Sequence, residues 1–90
     1  MGEAPADEEA RDEEVVARTL EFLARSLVGL PDQVSVEVIP GERTVFRLHV
    51  DPDDLGRVIG RGGRMARALR QVTRAAATKT GIHAFIEIAG

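Results

Sequence analysis

Apolar residues recur at steps of three and four through Val16, Leu20, Leu23 and Leu27, with Val15, Phe22 and Val28 widening the stripe. This spacing predicts an amphipathic helix from Glu13 to near Gly29, with Pro31 and Asp32 marking its stop. The period then falls to two. Val34, Val36 and Val38 alternate with Ser35 and Glu37, and Phe46, Leu48 and Val50 alternate with Arg47 and His49. Each run predicts a half-buried strand, and the short link at Pro40–Gly41 predicts an antiparallel hairpin. Asp51 and Pro52 then form a helix start: Asp51 accepts free amides, Pro52 sits where no amide is needed, and Asp53 and Asp54 meet the positive dipole end. A short helix to Ile59 stops at Gly60-Arg61-Gly62-Gly63, and a longer one resumes to near Thr80. On that longer helix Met65, Leu69, Val72 and Ala76 share one face, while Arg64, Arg67, Arg70 and Arg74 occupy the opposite arc. Gly81 ends it, and Ile82, Ala84, Ile86 and Ile88 alternate with His83, Phe85 and Glu87 as a last strand.

The predicted order, helix-strand-strand-helix-helix-strand, is of the α+β class, and 90 residues with 43% apolar content suffice for one core. There is no cysteine, which removes disulfides, thiol catalysis and Cys-based zinc sites. The two histidines, His49 and His83, are not at a ligand spacing, so no metal and no cofactor is expected. No apolar run approaches the roughly 18 residues of a membrane-spanning helix, and the acidic N-terminus is unlike a secretory signal. The expectation is a cytoplasmic protein with no membrane partner.

Net charge is −3, but its distribution matters more than its sum. Residues 1–14 hold seven acids and one base, a net of −6, whereas residues 15–90 hold eleven bases and eight acids, a net of +3. Within the latter, Leu55 to Lys79 carries seven bases and no acid. A basic segment of this kind fits an anionic partner, nucleic acid first, or else a solvated helix face. Residues 1–13, poor in apolar side chains and dense in like charge, are expected to be a disordered acidic tail before a domain spanning 14–90.

The four-residue glycine turn carries the chemistry. Glycines allow a backbone to approach a phosphate and to take φ > 0, and amides at the start of the next helix point at the anion with the dipole behind them. Arg61 and Arg64 add charge-assisted contacts, and Val58 and Ile59 are expected on an apolar groove floor that receives unstacked bases. Without Tyr or Trp, and with only three Phe, a surface built on aromatic stacking is not expected. A P-loop would need Gly-Lys-Ser/Thr and a dinucleotide fingerprint would need glycine at Met65, so both are excluded. Asp53 and Asp54 belong to a helix start, and Thr19, Ser26 and Thr73 have no His partner, so no catalytic set and no small-molecule substrate is expected. The alternatives to a nucleic-acid clamp are a plain helix–helix turn, a duplex-DNA helix-turn-helix, or a protein-docking module.

Two helices joined by Gly60-Arg61-Gly62-Gly63 and flanked by strands resemble a K-homology (KH) domain, and the extra helix and strand in front resemble its type II, prokaryotic form. More specifically, residues 14–88 resemble the small single-KH bacterial proteins of the KhpA (YlqC-like) family. The resemblance is carried by Ala24-Arg25-Ser26-Leu27-Val28, Pro31-Asp32-Gln33-Val34-Ser35-Val36, the run Gly56 to Arg64, and Ala75-Ala76-Ala77-Thr78-Lys79. It implies a three-stranded mixed sheet packed against three helices. It also implies a non-enzymatic, single-stranded RNA-binding protein acting as an RNA chaperone in post-transcriptional control, with links to cell length and cell-wall homeostasis. Its implied partners are a second copy, forming a homodimer, and a larger KhpB (Jag-like) protein. The expected RNA contacts are Gly56, Arg57, Val58, Ile59, Gly60, Arg61, Gly62, Gly63, Arg64 and Arg67.

Overall fold

The computed structural model describes residues 4–90, with side chains described from Ala10 onward. Its elements are α1 (Ala4–Arg25), β1 (Ser35–Ile39), β2 (Thr44–His49), α2 (Leu55–Ile59), α3 (Arg64–Thr80) and β3 (Ala84–Ala89). Short 3-10 turns at Pro31–Gln33, Pro52–Asp54 and Arg61–Gly63 lie between them. β1 pairs antiparallel with β2, and β2 pairs parallel with β3, so β2 is the central strand of a mixed three-stranded sheet. A parallel pair needs a long crossover, and α2 and α3 supply it.

The pleat sorts the strands cleanly. Val38, Phe46 and Ile86 share a register position, as do Val36, Leu48 and Ile88, and this face meets the helices. Phe46, Leu48 and Ile86 are buried there against Val16, Leu20 and Ala24 of α1, Val58 of α2, and Leu69 and Ala77 of α3. Truncating any large member of this set to Ala would cost about 2–5 kcal/mol. On the opposite face Glu37, Arg47 and Glu87 form one cross-strand row. Arg47 donates through Nε to Glu87 and lies 3.5 Å from Glu37, and the hydrogen bond and charge of Glu87 raise the guanidinium pKa above its ordinary value.

Three features depart from the periodicity. First, α1 begins at Ala4 rather than near Glu13, so the part of the expected disordered tail within residues 4–12 forms the leading turns of that helix; residues 1–3 lie outside the described residues. Low apolar content prevents burial, but it does not prevent a packed helix from propagating outward through Ala and Glu, with acids at its positive end. Second, Val15 and Phe22, counted in the α1 stripe, are 56% and 73% exposed. Third, the buried stripe of α3 is Ala66, Leu69, Thr73 and Ala77, with Val72 turned outward at 49% exposure. Small side chains let α3 approach α1 and β3 closely, so the tightest contacts go to the smaller residues rather than to the larger ones.

Thr73 is fully buried, and its hydroxyl has no hydrogen-bond partner among the described residues. Replacing it with the isosteric Val removes an unsatisfied polar group at almost no change of shape. Thr73→Val is therefore expected to stabilise the fold by about 1 kcal/mol, read as an increased midpoint in urea denaturation; a lower midpoint would show that the hydroxyl is satisfied in solution.

Candidate nucleic-acid interface

The turn between α2 and α3 is built from three glycines with positive φ. Gly60 closes α2, its amide donating to the Gly56 carbonyl at 2.8 Å, and its backbone at φ 75°, ψ 171° is in a region open essentially to glycine alone. A Cβ there would lie 2.7 Å from Met65 Cβ and 2.9 Å from the Met65 amide nitrogen. Gly62 (φ 64°) and Gly63 (φ 76°) are left-handed, yet a Cβ on Gly62 would meet nothing within 4 Å. Gly63 N–H donates to the Gly60 carbonyl at 3.1 Å, and Arg64 N–H donates to the Arg61 carbonyl. The amides of Arg61 and Gly62, both exposed residues, are left without an acceptor among the described residues. Two free donors at a tight turn, immediately before the N-terminus of a 17-residue helix, suit an anion.

The sequence-expected contacts fall on this surface with one exception. Gly56, Arg57, Ile59, Arg61, Gly62, Arg64 and Arg67 are exposed, and Gly60 and Gly63 are half-buried between them. Val58, expected on the groove floor, is fully buried instead. In a helix of five residues it lies three positions after the half-buried Leu55, on the side packed into the core, which leaves Ile59 at 39% exposure as the apolar residue next to the loop. Arg57 is tethered: its Nη1 lies 3.2 Å from Asp54 Oδ1. Asp54 is 3% exposed and also accepts the amides of Gly29 and Leu30 at 3.0 and 3.1 Å. Asp54 thus ties the link after α1 to the start of α2, while capping at this helix start falls to Asp51, whose side chain accepts from the Asp53 amide.

Arg70 also departs from the expected arc. It is half-buried, and its Nε points at the Ile86 carbonyl, 3.4 Å away, so it fastens α3 to β3. Arg64, Arg67 and Arg74 remain exposed along α3. Sequence reasoning missed Arg43 and Phe85, which meet with the guanidinium carbon 4.9 Å from the ring centroid. The pairing follows from the register Val45↔Phe85, which only the parallel β2–β3 arrangement defines. Among the described residues no cluster of His, Asp and Glu could hold a metal, and no helix is long and apolar enough to cross a membrane.

The family model for the KH domain of KhpA and KhpB matches residues 17–88. The chain belongs to the KhpA/KhpB KH-domain family. It is 46% identical over 70 residues to the RNA-binding protein KhpA of Clostridium acetobutylicum, covering 77% of this chain and 93% of that protein. A KhpA from Aquifex aeolicus is 47% identical over 70 residues, covering 77% and 89% of the two chains. One from Mycobacterium tuberculosis is 53% identical over 57 residues, covering 62% and 71%. No solved structure gave a significant match. Residues 17–88 take in the packed half of α1, all three strands and the glycine turn, so the fold is a type II KH domain.

The two ends of the KH turn differ in a way that substitution can read. Gly60→Ala combines a backbone available only to glycine with a clash against Met65, and is expected to cost about 2–4 kcal/mol. Gly62→Ala meets open space and is expected to cost about 1 kcal/mol, from its left-handed backbone alone. Chemical denaturation of the two variants tests the order, and equal losses would contradict the geometry of the turn.

Proposed function

We propose that the protein binds single-stranded RNA, clamping its backbone at Gly60-Arg61-Gly62-Gly63. The observation that carries this reading is the pair of unpartnered amides at Arg61 and Gly62, placed beside Arg64 and Arg67 in a stretch without a carboxylate from residue 55 to 79. Phosphate oxygens are accepted by the amides and the arginines, and bases lie over Ile59 and the exposed backbone of Gly56. A turn that holds only about four nucleotides by their backbone reads little sequence. That suits a chaperone that engages many transcripts in the cytoplasm, and post-transcriptional control, including that of cell length and cell wall, is the role that fits it. No nucleophile, acid–base pair or metal set enters the reading; the protein acts by binding.

Weak single grooves gain from being paired. A surface for pairing lies beside the loop, where Leu23, Leu27, Met65, Leu69 and Val72 line an apolar groove of about 150 Å³ between α1 and α3. Phe22, on the same helix as Leu23, is exposed. This groove supports a second reading, in which the protein docks a copy of itself or a KhpB (Jag-like) partner.

Two experiments separate these readings. Replacing Arg61 and Gly62 together by Asp should abolish binding to a short fluorescent single-stranded RNA while circular dichroism stays native; retained binding would move the RNA site away from the turn. For the wild type, contacts to three or four phosphates should give a slope of log affinity against log salt of about −2 to −3, and a slope near zero would remove the electrostatic clamp. Phe22→Asp with Val72→Asp should leave RNA binding in place and lower the apparent mass on size-exclusion chromatography to that of a monomer. An unchanged elution position would show that the α1–α3 groove is not the pairing surface.

A further inference from the structure

At the end of α3 remote from the glycine turn, a second depression of about 230 Å³ opens between the last turns of that helix and the start of β3. Arg43, Arg74, Thr78, His83 and Phe85 line it, and none of its lining residues is a carboxylate. It is joined to the turn by a row of cationic side chains on one helix. Arg64, Arg67 and Arg74 are exposed along α3, and Arg70, fastened to the Ile86 carbonyl, holds helix and strand together at the midpoint. From Arg64 to Thr78 the axial distance is about 21 Å at 1.5 Å per residue. The path also has a boundary. The neighbouring depression beyond His83 is lined by Glu13 and Glu42, whose charges repel a phosphate backbone.

The lining residues have a recognisable chemistry. Arg43 is exposed and lies over the Phe85 ring with its guanidinium carbon 4.9 Å from the centroid. Phe85 itself is 38% exposed although it sits in a strand. Unstacked nucleobases lie on aromatic rings and on guanidinium planes alike, and an Arg–aromatic pair offers both surfaces at one place. Arg74, Thr78 and His83 supply donors around it for phosphate or sugar oxygens. A partner peptide could fill a depression of this size, but the cationic row leading to it favours a polyanion.

We propose that single-stranded RNA held at the glycine turn continues along α3 and places a further nucleotide in this depression, its base on the Arg43–Phe85 pair and its phosphate beside Arg74. The proposal rests on the RNA-binding reading and extends it: the binding site is longer than the turn, with a stacking position at its far end.

The test compares a tetranucleotide with an oligouridylate of about 12 nucleotides, a length within the range that single-strand grooves cover. Binding of both is measured for the full chain, for Phe85→Ala, for the double variant Arg43→Ala with Arg74→Ala, and for the turn variant Arg61→Asp with Gly62→Asp, each checked by circular dichroism. The wild type should prefer the longer RNA. Phe85→Ala should weaken the 12-mer about fivefold or more and leave the tetranucleotide unchanged, as loss of one stacked base would. Arg43→Ala with Arg74→Ala should do the same and reduce the salt slope for the 12-mer alone by about 1.4, the value for two lost phosphate contacts. If Phe85→Ala does not fold, the double arginine variant decides. Far-end variants that bind the 12-mer like wild type, while the turn variant does not, overturn the proposal and leave the RNA-binding reading standing. Equal losses for the 4-mer and the 12-mer also overturn it, since a separate position cannot act on an RNA too short to reach it. A wild-type protein that binds neither RNA refutes the underlying reading and this one with it.

Discussion

No side chain fits at position 60. The backbone there takes a conformation closed to L-residues, and a Cβ would lie 2.7 Å from that of Met65. That one close approach lets α2 end and α3 begin within four residues. It decides where the amides of Arg61 and Gly62 go, because a wider turn would draw them into its own hydrogen bonds or spread them apart. It also sets α3 on the sheet so that Ala66, Leu69, Thr73 and Ala77 face inward. The same short turn therefore serves packing on one side and anion chemistry on the other.

Charge is arranged with equal economy. Ions that would cancel on the helices are kept apart by the fold: the carboxylates of Glu37 and Glu87 are spent on Arg47 across the open face of the sheet, and Asp54 is buried in the clasp that holds Gly29, Leu30 and Arg57. The acid-free face of α3 is left to act as a field of one sign, which attracts an anion from a distance and carries no sequence information of its own. The acids of α1 lie elsewhere. Glu13 sits with Gly81 and His83, at the end of α3 opposite the glycine turn, and α1 continues N-terminally from there. In that position the acidic segment bounds the basic surface instead of covering the turn.

A three-stranded sheet with helices on one face leaves the other face open, and the row Glu37–Arg47–Glu87 makes that face polar. The apolar surface that remains is small and localised. Phe22 and Val72 stand near the groove between α1 and α3, Ile59 next to the turn, and Phe85 at the edge strand under Arg43. Each lies where a separate binding event can use it, and the core does not depend on any of them.

The order of elements, the hairpin, the glycine turn and the basic stretch were all legible in the sequence, because each is local: periodicity, turn chemistry and charge count are properties of neighbouring residues. Val16, Leu20, Phe46, Leu48 and Ile86 could be named as core from spacing alone. What spacing could not decide was which side of a helix faces two partners at once. Val58 went to the core and Val72 to the surface because the position of α3 is set jointly by α1 and β3, and close packing favours Ala and Thr over the larger Val. Asp54 read as a local helix-start acid, yet its partners at Gly29 and Leu30 lie 24 and 25 residues away. The Arg43–Phe85 pair was equally hidden, since it exists only because β2 and β3 run parallel and in register. The sequence by itself determined the elements and the loop that approaches phosphate; the tertiary structure alone decided which side chains stand beside that loop, because long-range neighbours are created by packing and not by distance along the chain.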